Sequence, residues 1–264
     1  LTRIYAYLGN INATSGENEL AAWSAAKAVA VFHINENSTL TDSAGFNNLT
    51  AKASCPVFTT TNSIYGFGVA FDGVCWFQKI TTVSLPSGNN PRTEIMYLYT
   101  GSIVDSSSHE TVMGYGTIGD NAYIANAIAL TTIGVNGTNI QYKNLSVYGT
   151  SPPLPVNNSP TFGTPIQSNY QFVHTFSSTE EKIWLNGGAT VANRSNATSF
   201  QTIGNGYLSI GGYPASAVHR LTNTTVSELR IYNESKASDW ILAEYAQTTI
   251  IYNAVAEFTI NSIT

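Results

Sequence analysis

Apolar and polar residues alternate most regularly between residues 182 and 232. Lys182-Ile183-Trp184-Leu185 runs into Asn186-Gly187-Gly188 and returns through Ala189-Thr190-Val191-Ala192. Asn-Gly between two alternating runs is the strongest short-range signal for a β-hairpin. Leu208-Ser209-Ile210, closed by Gly211-Gly212, and the run 226–232 continue the same period. The stretch predicts an antiparallel sheet with one buried face and one wet face.

Upstream, residues 3–8, 28–34, 68–71 and 93–100 read as strands, and Cys75-Trp76-Phe77 begins another. In 93–100, Ile95, Tyr97 and Tyr99 share one face while Met96 and Leu98 share the other. Further strands are expected at 111–115, 123–130, 140–143, 145–148 and 170–176, with a last one at 256–260. Helical spacing is confined to 18–27, around Leu20 and Trp23, and to 238–245, where Trp240, Ile241 and Tyr245 share a side. Residues 35–48 form a polar turn region. Residues 150–167 hold five of the nine prolines and no strand pattern, which predicts a long surface loop. Many short strands, with helices only near the ends, predict an all-β sandwich with a single core.

Composition narrows the setting. Charged residues make up 10% of the 264, against roughly 25% in ordinary globular proteins. The net charge of −5 and the lack of any basic cluster argue against nucleic-acid binding. No apolar run approaches the ~18 residues that cross a bilayer, so no membrane insertion is expected in this segment. With so few ion pairs to lose, stability is expected to vary little between acidic and neutral pH. The chain opens on Leu1 rather than Met, as a processed chain or a fragment does.

Two features point to an oxidising, extracellular setting. Cys55 and Cys75 are the only cysteines. They are either buried thiols or one disulfide, whose loop of roughly 20 residues would stabilise the fold by about 3 kcal/mol. There are also ten Asn-x-Ser/Thr sequons, at Asn12, Asn37, Asn48, Asn136, Asn144, Asn157, Asn193, Asn196, Asn223 and Asn233. Such a density favours a secreted, N-glycosylated protein on a cell or virion surface, even where composition produces some of the sequons.

No catalytic constellation stands out. Glu180 and Glu181 are adjacent and would point to opposite faces of a strand. Glu228 and Glu234 straddle a strand end and have no third partner. His33, His109, His174 and His219 lack zinc spacing. The chain is therefore expected to be non-enzymatic.

The order of several short motifs resembles a known family. Val31-Phe32-His33-Ile34-Asn35-Glu36, Asp42-Ser43-Ala44-Gly45 and Gly68-Val69-Ala70-Phe71-Asp72-Gly73 come first, followed by Pro91-Arg92-Thr93-Glu94-Ile95. Phe172-Val173-His174-Thr175-Phe176, Trp184-Leu185-Asn186-Gly187, Leu208-Ser209-Ile210-Gly211-Gly212 and the run 226–233 complete the series. Together they resemble the laminin-G-like domains of the concanavalin A-like lectin/glucanase superfamily. Residues 1–19 are similar to the tail of a domain of unknown function that precedes such domains in archaeal and bacterial surface proteins.

The resemblance implies an antiparallel jelly-roll β-sandwich over 29–248. A preceding strand and short helix would occupy 1–28, and a trailing strand 249–264. It implies glycan binding on the concave sheet, where Tyr97, Tyr99, Tyr170 and Trp184 would offer aromatic faces. It also implies a structural calcium ion held by Glu36, Asp42 and Glu228, although Ser227 stands where relatives often carry Asp. The family's Glu-x-Asp-x-(x)-Glu catalytic strand is missing.

The expected function is an extracellular adhesion or recognition module whose partner is a carbohydrate or glycoprotein on a cell surface. The alternative is a structural subunit of a filament. Its end strands, 3–8 and 256–260, would pair with copies of itself or with adjoining domains. A polysaccharide-active enzyme is the third reading.

Overall fold

The computed structural model describes residues 23–34, 38–52, 67–80, 82–100, 109–116, 125–133, 142–148, 162–165, 168–188, 190–195, 206–212 and 220–248. The end strands expected at 3–8 and 256–260 lie outside these residues, as do Glu36, Cys55 and the sequons at Asn12, Asn37, Asn136, Asn157 and Asn196.

Two antiparallel sheets face each other. In chain order the strands are β1 (Ala28–His33), β2 (Thr39–Leu40), β3 (Leu49–Lys52), β4 (Val69–Asp72), β5 (Trp76–Lys79), β6 (Arg92–Thr100), β7 (His109–Gly116) and β8 (Ala125–Ile133). They continue as β9 (Tyr142–Tyr148), β10 (Phe162–Pro165), β11 (Ser168–Phe176), β12 (Glu180–Leu185), β13 (Thr190–Ser195), β14 (Tyr207–Ile210) and β15 (Thr222–Tyr232). One sheet has seven strands in the order β1-β15-β6-β11-β12-β13, with β4 also paired to β15. The other has eight, in the order β10-β9-β8-β7-β14-β5-β3-β2. The architecture is the expected all-β jelly-roll sandwich. Residues 238–248 form a helix, and 23–25 make a short helical turn.

The core lies between the sheets. Phe32, Phe71, Met96, Leu98, Phe172, Phe176 and Leu229 from the first sheet meet Leu49, Phe77, Met113, Leu208 and Ile210 from the second. Each large apolar side chain so buried contributes about 1.5–3 kcal/mol. Phe71 and Phe77 join the two layers edge to face, with centroids 6.3 Å apart.

Three expectations are corrected. The 182–232 stretch is not one sheet: β12, β13 and β15 belong to the seven-stranded sheet and β14 to the other. Its sheet does not have one wet face, because β15 is buried on both. Beyond the inter-sheet core, a second cluster of Val31, Ile95, Tyr97, Val173, Trp184 and Tyr232 packs under Trp23, Ala26, Trp240 and Ile241. Finally, the proline-rich stretch is not all loop, since Phe162–Pro165 pairs with β9 as an edge strand, where proline is tolerated.

Candidate saccharide-binding site

Most of the ionisable chemistry is sealed inside. His174 on β11 lies between two carboxylates, with Nδ1 2.7 Å from Glu94 Oε2 and Nε2 3.1 Å from Glu181 Oε1. Tyr115 from the opposite sheet donates its hydroxyl to Glu94 Oε1 at 2.9 Å, and Arg92 donates to that same hydroxyl at 3.0 Å. All five side chains are fully buried. Burial is the largest influence on His174 and disfavours its charge. The Glu94 charge and the hydrogen bonds that the ring donates to both carboxylates outweigh it and raise the imidazolium to about 9. The bridged carboxylate pair has no solvent access, and Tyr115 ties it to the opposite sheet.

Three of the four aromatic residues expected to stack on a sugar cannot do so. Tyr97 is fully buried, and its hydroxyl bonds Thr248 Oγ1 at 2.9 Å and accepts from Gln171 Nε2 at 2.9 Å. Trp184 is 9% exposed and donates its indole N–H to Thr175. Tyr170 is buried on the opposite face, paired with Leu98. The helix over 238–248 covers the face that carries Tyr97 and Trp184. Tyr99 alone is half-buried, so the four share no platform.

Two of the carboxylates expected to hold calcium, Asp42 and Glu228, are engaged elsewhere, and the third, Glu36, lies outside the described residues. Asp42 accepts four backbone N–H groups, from Val31, Ala44, Phe46 and Asn47. A carboxylate ringed by N–H donors organises a turn and repels a cation. Glu228 is bound by Arg230 and His33. Burial is the largest influence on Glu228 and would raise its pKa, but these two partners together hold it below the ordinary range. Among the described residues, no three His, Cys, Asp or Glu side chains converge on a metal position. Cys75 is fully buried and not a free thiol. Of the sequon asparagines, Asn48, Asn223 and Asn233 are exposed.

Among the described residues, an accessible groove of about 490 Å³ lies at one end of the sandwich. Its apolar side is Phe46, Leu85 and Pro86, and its polar side carries Ser24, Lys27, Asn90 and Asn233. Phe46 keeps 40% of its surface exposed. Asn47, fully buried, stitches the walls together. Its amide NH₂ donates to the carbonyls of Val29 and Val83, its Oδ1 accepts from Val83 N–H, and its backbone N–H binds Asp42. Arg92 reaches out of the core to the carbonyls of Gly88 and Asn90, fixing the third wall. Glu234, the acid beside the groove, is paired with Lys27 and Lys236. Sequence reasoning missed Phe46 and Asn47, which nothing separates from the rest of the polar turn region over 35–48, and Asn90, in the turn before β6.

No protein-family model and no curated protein matches the chain. Solved structures do. Domain 4 of AbnA, an extracellular GH43 arabinanase of Geobacillus stearothermophilus solved with arabinotriose, superposes with a TM-score of 0.55 at 16% identity, covering 82% of this chain and 97% of that domain. The comparison shows the fold. The Trypanosoma rangeli sialidase bound to sialic acid gives 0.54 at 14% identity over 86% of this chain, which spans only 34% of the sialidase. The binding domain of Paraclostridial Mosquitocidal Protein 1 gives 0.59 at 8% identity, with 83% and 52% covered.

Proposed function

We propose that this chain is a non-catalytic carbohydrate-recognition module of an extracellular surface protein, and that it holds a neutral saccharide in the Phe46 groove. The carrying observation is the groove's chemistry: one half-open aromatic ring faces hydroxyl and amide side chains, and the neighbouring carboxylate is neutralised by two lysines. Sugars present this combination in reverse, with an apolar C–H face and a hydroxyl rim. A neighbour of the same fold whose structure holds arabinotriose, a neutral sugar, supports the reading. The absence of a catalytic role rests on the inaccessibility of Glu94 and Glu181, the bridged carboxylate pair. Kinship with laminin-G-like domains, the Cys55–Cys75 bridge and N-glycans on the exposed Asn48 and Asn223 belong to the same proposal, which excludes a glycan on Asn233 because it would fill the groove.

The test is a panel of oligosaccharides titrated against protein made without N-glycans, so that Asn233 leaves the groove open. At least one neutral sugar is expected to bind, with affinity falling about tenfold in Phe46→Ala, the scale of one lost ring contact. Failure of every sugar, or full affinity in Phe46→Ala, would sink the reading.

A further inference from the structure

A second surface stands apart from the groove, on the outward face of the eight-stranded sheet. Phe77 points into the core, so its strand neighbours Trp76 and Gln78 point outward, where both are half-buried. Lys52 on β3 is the direct cross-strand partner of Trp76, and Thr50 that of Gln78. Arg220 lies over the Trp76 indole, with Cζ 3.7 Å from the ring centroid, and donates to the carbonyl of Val74 at 2.6 Å. The indole N–H donates to Gln78 Oε1 at 3.0 Å. Because an indole can only donate, Gln78 turns its oxygen inward and keeps its NH₂ as a donor.

Charge sets this surface apart. Lys27, Lys182, Arg230 and Lys236 each sit on a glutamate, and Lys79 gives its ammonium to the Phe46 carbonyl. Lys52 and Arg220 have no carboxylate within ion-pair distance among the described residues. Asp72, the acid nearest Trp76 along the chain, accepts at Oδ1 from the amides of Val74 and Cys75. In a chain of 11 basic residues and net charge −5, two uncompensated cations therefore flank one indole. Stacking and the Val74 carbonyl hold the guanidinium in place and leave further N–H groups free, which preorganises it for a planar anion.

We infer that Lys52, Trp76, Gln78 and Arg220 form a binding site for a carboxylate-bearing saccharide, such as a hexuronic acid. The carboxylate meets Arg220 and Lys52, and the Gln78 amide donates to a ring hydroxyl. A polyphosphate is disfavoured, because two cations on an acidic protein cannot neutralise it.

The test compares trigalacturonate with its methyl ester, which keeps the sugar rings and removes the charge. The acid is expected to bind about tenfold more tightly, the worth of one charge-assisted hydrogen bond, and less so at high salt. Arg220→Gln and, at the half-exposed β3 position, Lys52→Gln should each erase the preference for the acid. Circular dichroism confirms that the variants fold, and every titration is made in a Phe46→Ala background so that the neutral ester does not report on the groove. Equal binding of acid and ester, an acid preference that survives both substitutions, or equal competition by polyglutamate would overturn the inference. Those results leave the groove reading standing, since that depends on Phe46 and neutral sugars.

Discussion

At the scale of single residues, His174 is the most heavily engaged side chain in the interior. Its protonated state is raised from 6.5 to about 9 by the two glutamates that enclose it. A raised folded pKa means stability that is fully present below 6.5 and lost as pH climbs through about 9. Melting temperature should therefore decline across that interval, and His174→Leu should flatten the dependence. The same substitution strands Glu94 and Glu181 without their cation and should cost about 3–5 kcal/mol in chemical denaturation. None of this was legible in the sequence. Glu94, His174 and Glu181 sit on three strands, and alternation says which face each takes but not that the three faces meet. The aromatic candidates show the same limit. Alternation placed Tyr97 and Tyr99 on a common face correctly, but it could not say that a helix seals the Tyr97 end of it.

At the scale of elements, the β12–β13 hairpin was legible because Asn186-Gly187 is local chemistry, and both residues have positive φ, 51° and 63°. The turn is also a docking point. A Cβ on Gly187 would come within 2.6 Å of Tyr245 Cβ on the covering helix. Gly187→Ala should thus cost more than the usual ~1 kcal/mol for a left-handed glycine, read as a shift in denaturation midpoint. The assignment of β14 to the other sheet was hidden, because a period of two fixes a face and never a partner. β10 was hidden by Pro165, which would break a central strand but sits at a sheet edge. Residues 140–148 looked like two strands and form one, β9 (Tyr142–Tyr148), with the polar Lys143-Asn144 inside it.

At the scale of the whole molecule, the scarcity of charge conceals where the charges sit. Few ion pairs suggested indifference to acid, yet those present are concentrated where they matter. Glu228, Arg230 and Glu244 form a chain beneath the covering helix, joined by His33. With its pKa held below 4.5, Glu228 contributes stability above that value and loses it as pH falls further. Melting temperature should therefore drop below pH 4.5, and Glu228→Gln should blunt the fall; a flat acid limb would restore the expectation from composition.

The sandwich also connects its interior to its rim, since Arg92 runs from the buried network to the groove wall. Amide chemical-shift mapping of isotope-labelled, unglycosylated protein with a bound neutral oligosaccharide tests the central claim most directly. The account predicts shifts concentrated at 24–29, 46–47, 84–90 and 233, and their loss in Phe46→Ala. Shifts centred on Tyr99 and the strands around it, with the groove silent, would contradict it.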